Sequence, residues 1–412
     1  MSSVPAEDRL IVLRHPHLRR YLSARFLVGM ATQVQTVAVG WQIFSVSGDP
    51  FDLGLVALSQ FLPFIVLILP AGHVADRYDR RRVQLLTYAL LAVCAAALLA
   101  ISLVGVTDTA PIFGVMVLFG TARAFNNPTG QAILPNLAPI ALFPRAVALN
   151  SSLGQVATIV GPAVGGALVV VGVEAAYGLS LALLLSGVLL VSGLRGGGRD
   201  ERSHEPVSWS TLLSGVTFVR SRPIVLGSIS LDLFAVLFGG ATALLPIYAG
   251  EILEVGPVGL GVMRAAPAVG AALLAAVVTV RPIRRHVGRW MFGGVAAFGV
   301  ATIVFGLSTS LALSLAALVV MGAGDMVSVY IRHLLVQLET PDEIRGRVSA
   351  VNSVFIGASN ELGEFESGVT GAWWGIVPAV VIGGTATIAI AVAWSRLFPV
   401  LRRLDRFPEP ES

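Results

Sequence analysis

Residues 72–83 read GHVADRYDRRRV, and six of the seven positions from Asp76 to Arg82 are charged. The long stretches on either side carry almost no charge. A tight charged knot between two apolar blocks is the pattern of a short turn between membrane helices, since a hydrocarbon core of about 30 Å takes roughly 20 apolar residues per helix.

Working outward from that turn, the rest of the chain follows the same plan. Its 412 residues are 55% hydrophobic and 13% charged, with a mean hydropathy of +0.81. A soluble domain carries about 25% charged residues. The apolar blocks predict spans near 21–46, 53–73, 83–104, 110–133, 147–171, 175–194, 223–249, 258–280, 290–308, 311–334, 347–371 and 375–398. Periodicity inside the blocks is weak, as it is for helices apolar on most faces. The 44 glycines fit helices that approach one another closely.

All 28 basic residues are Arg, and nearly all fall in the tails, in alternate loops, or at the span ends facing them. The remaining loops hold acids instead: Asp49, Asp52, Asp108, Glu174, Glu251 and Glu254. By the positive-inside rule both termini lie in the cytoplasm and the protein sits in the inner (plasma) membrane. The high pI of about 9.7 then reports topology and contact with anionic lipid, not nucleic acid. A single cysteine, Cys94, excludes an internal disulfide, and no metal, nucleotide or nucleophile motif is present, so neither a cofactor nor an enzyme activity is expected.

The chain also repeats itself. PIALFPRAVALNS at 139–151 matches PDEIRGRVSAVNS at 341–353 through Pro139/Pro341, Arg145/Arg347, Ala148/Ala350, Asn150/Asn352 and Ser151/Ser353. Further along, Gly161 matches Gly363 and Gly166 matches Gly368. The expected organisation is two six-helix halves, 1–194 and 223–412, the second ending in a cytoplasmic tail. They are joined by a linker at 195–222. The linker opens with the flexible RGGGRDERSHEP and continues into an amphipathic helix expected on the inner membrane surface. Two such halves around a central pathway are the transporter arrangement, worked by alternating access.

Several motifs carry a family resemblance. Gly72, Asp76, Arg77, Arg80 and Arg81 resemble motif A of the major facilitator superfamily, with Asp79 standing where Gly is usual. Arg123, Asn126 and Asn127 resemble motif B. Gly161, Pro162, Gly165 and Gly166 resemble the antiporter motif C, with Ala157 in place of a Gly. The counterpart of motif A in the second half, RPIRRHVGRW at 281–290, keeps Gly288-Arg289 and has lost the acid. The chain is similar to the twelve-span bacterial branch of drug:proton antiporters and enterobactin exporters. That resemblance implies an all-α, twelve-span major facilitator fold and export of an amphipathic, drug-like or siderophore-like small molecule against inward proton flow. It also implies that Asp76 gates the cytoplasmic side by facing the helix start near Gly346. A uniporter or importer of the same fold, or a non-transporting sensor or scaffold, remains open, and the chain is expected to work as a monomer.

Ionisable groups inside spans are costly and point to function. Where the first half has Ile159, Pro162 and Val164, the second has Glu361, Glu364 and Glu366. Two carboxylates as close as Glu361 and Glu364 resist joint ionisation in low dielectric, so one can hold a proton and exchange it for cargo. Asp232 is a second proton-carrier candidate, with Arg123 tuning a nearby carboxylate. All three glutamates could instead line an outer vestibule. Asp325 and Arg332 read as a structural ion-pair network. A polar stripe on the first span (Arg25, Thr32, Gln35, Thr36 and Gln42), together with Arg264, offers cargo contacts. The stripe's alternative role is helix–helix hydrogen bonding, and Arg264's is pairing with Glu361.

Overall fold

The computed structural model describes residues 14–105, 107–194, 209–341 and 344–408. The opening of the linker, residues 195–206, therefore lies outside the described residues. The described chain is helical nearly throughout: α1 Pro16–Ser47, α2 Pro50–Arg77, α3 Arg80–Val104, α4 Ala110–Leu137, α5 Phe143–Val169 and α6 Val173–Ser192. There follow α7 Trp209–Ser221, α8 Pro223–Gly239 and a broken continuation, with a 3₁₀ turn at Ala241–Leu244, α9 Leu245–Ile247 and a π turn at Tyr248–Ile252. Then come α10 Gly256–Val280, α11 Val287–Leu307, α12 Leu311–Glu339, α13 Arg345–Trp374, α14 Ile376–Leu397 and a short α15 Pro399–Arg402.

Local chemistry sets the helix boundaries. Asp79, the departure from the motif A pattern, is the N-cap of α3: its carboxylate accepts the backbone N–H groups of Arg81 and Arg82 at 2.9 and 3.2 Å. It satisfies two of the donors that every helix start leaves open. A single residue, Gly375, joins α13 to α14 at φ 89°, a conformation that favours glycine.

Nine segments among the described residues are long and apolar enough to cross a membrane. The long helices that miss that standard, α1, α4 and α13, are those carrying the polar stripe, the motif B-like residues and the three glutamates. Polarity is concentrated where the sequence pointed to function.

Two compact units divide the chain. One holds Met1–Gln42 and Leu62–Pro206, the other Ile43–Phe61 and Val207–Ser412. The boundary runs through α1 and α2, so the first turns of α2 belong with the second unit. There the backbones of Gly54 on α2 and Gly368 on α13 touch; a Cβ on Gly368 would lie 2.6 Å from the Gly54 Cα.

The repeat is visible in the packing. In the first unit Gly165 of α5 lies against Val34 of α1, where a Cβ would stand 3.0 Å from the Val34 carbonyl oxygen. In the second, Gly363 of α13 lies against α8, its Cβ position 2.8 Å from the Val236 carbonyl oxygen. Ala157, the departure from motif C, is accommodated because Gly29 faces it from α1, with a 3.4 Å contact expected there.

The linker helix α7 buries part of its apolar side against protein. Val219 is buried in a cluster with Val225, Ile229, Val336, Val348 and Val351, with Val216 and Phe218 beside it. Gly215 lets α7 approach the Arg347 carbonyl of α13, so burial against protein uses the surface that amphipathicity assigned to the membrane.

Candidate functional site

In the first unit the candidate residues divide between packing and open polar groups. Arg25 on α1 donates to the Tyr21 hydroxyl at 3.3 Å and lies against Gly130 of α4, while Tyr21 donates to the Gly130 carbonyl at 2.5 Å. The motif B-like Asn126 accepts from Gln84 of α3 at 2.7 Å. Arg123, in the same helix, is half-buried and is held by its own interactions.

Along the α1 stripe, Thr32 and Thr36 return their hydroxyls to carbonyls one turn back. Gln42 is a correction to the cargo-contact reading. It donates to Ser102 at 2.9 Å and accepts from Tyr177 at 2.6 Å, tying α1 to α3 and α6 in a buried knot. Its amide is consumed by helix–helix bonds. Gln35 differs: it is buried, and its side-chain oxygen has no hydrogen-bond partner among the described residues.

The motif A-like arginines are anchored within the first unit. Arg80 donates to the Ala132 carbonyl at 3.4 Å, and Arg81 donates to the carbonyls of Val191 and Ser192 at the end of α6. Those carbonyls lie at a helix C-terminus, where positive charge is favoured. Gly72 lies in α2 and Arg77 ends it exposed; the side chain of Asp76 is outside the described ones. Of the motif C-like residues, Gly161, Pro162, Gly165 and Gly166 are all buried in α5, and Gly161 packs on Gln33 of α1.

The second unit contains two polar centres. The first surrounds the break after α8. Ser367 of α13 donates to the Gly240 carbonyl at 2.5 Å, bonding the backbone where α8 stops. Thr242 in the break donates to Glu364 at 3.1 Å, and Arg264 of α10 reaches the same carboxylate at 3.9 Å. The sequence reading left Arg264 to contact cargo or to pair with Glu361; the structure sets it at Glu364, and Glu361 has an interaction of its own. Interrupted helices with polar side chains around them are where transporters place cargo and coupling ions.

The second centre is an ion pair across α8 and α12. Arg332 donates to Asp232 at 2.5 Å and Ser328 donates to its other oxygen at 3.3 Å, with Arg332 and Asp232 only 1% and 4% exposed. Arg332 thus bonds Asp232, not the Asp325 that the sequence reading paired it with. Depth explains the choice: Asp232 comes nine residues after Pro223 at the start of α8, and Arg332 seven residues before Glu339 at the end of α12. With α8 and α12 antiparallel, those positions meet.

Outside the spans, the tail forms a contact that the sequence did not disclose. Asp405 accepts from the His286 ring at 2.7 Å and from its backbone N–H at 3.2 Å, while Gly288 donates to the Leu404 carbonyl at 2.9 Å. The tail therefore brings a carboxylate to the second-half loop that lacks the motif A acid.

A family described as transmembrane secretion effector matches residues 10–409. Among curated relatives, the chain is 26% identical over 407 residues to the multidrug efflux pump Tap of Mycolicibacterium fortuitum, covering 94% of this chain and 97% of that protein. It is 25% identical over 408 residues to the enterobactin exporter EntS of Shigella boydii, covering 96% and 94%. Of solved structures, the nucleoside transporter NupG superposes with a TM-score of 0.76 at 14% identity, covering 92% of this chain and 99% of that one. At that identity the likeness shows the fold alone. The chain is a multi-pass membrane transporter and not an enzyme, and it belongs to the transmembrane secretion effector family of the major facilitator superfamily.

Proposed function

We propose that this protein exports an amphipathic, drug-like or siderophore-like small molecule in exchange for protons, by alternating access. The observation that carries the reading is the buried Asp232–Arg332 pair inside lipid-crossing helices. Buried ionic groups are retained at such expense where they move ions or cargo. The family description and the efflux proteins among its relatives support export over uptake. In this reading the Arg-rich ends face the cytoplasm, and Gly72, Asp76, Arg77, Arg80 and Arg81 gate that side. Arg25, Gln35 and Arg264 face the cargo path, and Glu361, Glu364, Asp232 and Arg123 are candidates for coupling it to protons.

The test is purified protein in liposomes under an imposed pH gradient, screened with hydrophobic cations and catecholate siderophores. Gradient-driven movement out of the Arg-rich side is expected. Transport indifferent to the gradient, or net uptake, overturns the proposal.

A further inference from the structure

A second acid stands on α12 below the notice of the ion pair. Asp325 lies fourteen residues from each end of that helix and seven before Arg332. Seven residues advance a helix by about 10.5 Å and fall only about 20° short of two full turns, so both side chains share one face. That face is the interior one, since Leu318, Met321 and Ser328 lie on it and are buried, whereas Leu313 and Val320 turn outward. Helical side chains lean toward the N-terminus, so Arg332 leans toward the turn that carries Asp325.

The two acids are held differently. Asp232 is sealed and bonded; Asp325 is half-buried, and no hydrogen bond or ion pair among the described residues holds it. Arg332 spends one terminal nitrogen on Asp232, while its Nε is buried with no hydrogen-bond partner among the described residues. One cation therefore faces two acids. With both ionised, the group is net negative near the middle of a span, where unbalanced charge is least tolerated. One proton restores balance.

Of the other charged groups on the surrounding helices, His333 of α12 is exposed but close enough for its charge to act on Asp232. Arg264 of α10 is engaged by Glu364, Arg289 sits in the first turn of α11, and Arg396 in the last turn of α14. On α13, Arg345 and Arg347 lie in the first turn, and the charged groups farther along are acids: Glu361, Glu364 and Glu366.

We propose that Asp325 is the proton-binding residue of the exchange, and that Arg332 alternates between Asp232 and Asp325 as that proton leaves and returns. Protonated Asp325 leaves Arg332 on Asp232. When Asp325 releases its proton as H⁺, the carboxylate formed draws the free side of the Arg332 guanidinium, and the hold of α12 on α8 loosens. No covalent bond other than the O–H is made or broken. The inference rests on the proton exchange proposed above.

The test uses the full chain in liposomes with tetraphenylphosphonium as probe. Asp325→Asn is expected to lose gradient-driven accumulation while keeping probe-for-probe exchange without a gradient, and Asp325→Glu is expected to restore part of the drive. Wild-type protein that ignores the gradient defeats proton coupling altogether; a responsive wild type with an equally responsive Asp325→Asn defeats this inference alone. A second readout needs no cargo. The carboxylic-acid C=O band in the proton-induced infrared difference spectrum should be present in the wild type and absent from Asp325→Asn, and its persistence in the variant overturns the assignment.

Discussion

At the scale of the residue, Asp405 shows how one exposed carboxylate fastens a tail. Hydrogen bonding from the His286 backbone, then from its ring, together with the positive charge of His286 and Arg285, holds Asp405 below the usual carboxylate range. A group lowered on folding lends stability that is complete above its ordinary value, about 3.9, and is lost as pH falls through the lowered one. The Gly288 amide, bonded to the Leu404 carbonyl, should therefore keep its hydrogen-exchange protection down to about pH 5 and lose it in more acid solution. Asp405→Asn should weaken that protection at neutral pH and flatten its response below pH 5. Equal protection in the variant would show that the tail is held by its apolar contacts, Phe407 against Tyr330 among them. None of this was legible in the sequence: Asp405 and His286 are 119 residues apart. Asp79 was visible as a departure from a pattern, but its capping role needed the extended backbone that the residue adopts, φ −59° and ψ 110°.

At the scale of the element, the glycines decide which helices meet. Gly322 of α12 and Gly270 of α10 form a reciprocal seam: a Cβ on Gly322 would collide with the Pro267 backbone, and one on Gly270 with the Val319 backbone. A Cβ on Gly293 of α11 would meet nothing within 4 Å among the described residues. Gly322→Ala should therefore lower the thermal unfolding midpoint sharply, at an overpacking cost of about 1–3 kcal/mol or more because backbone cannot give way. Gly293→Ala should be neutral or stabilising by up to about 1 kcal/mol. A Gly322→Ala protein as stable as the wild type would mean that the seam opens freely. The repeat made the equivalence of Gly161 and Gly363 readable, because spacing survives in sequence. Which helix each one faces was not readable, because partner choice depends on the fold as a whole. The same limit applies to Arg332: its burial was expected from a span, while the choice of Asp232 over Asp325 depended on how α8 and α12 align.

At the scale of the whole molecule, the units do not coincide with the sequence halves. Ile43–Phe61 belongs with the second unit and Leu62 onward with the first, so α2 serves both. Pro63 follows that boundary by two residues, and a proline inside a helix leaves the carbonyl four residues back, that of Ser59, without its amide partner. The bend that the proposed alternating access calls for has a place to occur there. Pro63→Ala, which returns the missing amide, should slow probe exchange in liposomes by about tenfold, equivalent to about 1.4 kcal/mol on the barrier, with little change in probe affinity. Unchanged turnover would place the flexing elsewhere.

The straddling of α2 has a consequence for how the protein could be divided. A nick in the linker yields two fragments, and the amino-terminal one carries away a piece of its neighbour's framework, the turns around Gly54 that seat on Gly368. The carboxy-terminal product then lacks a stave, and the other has one with nothing to lean on.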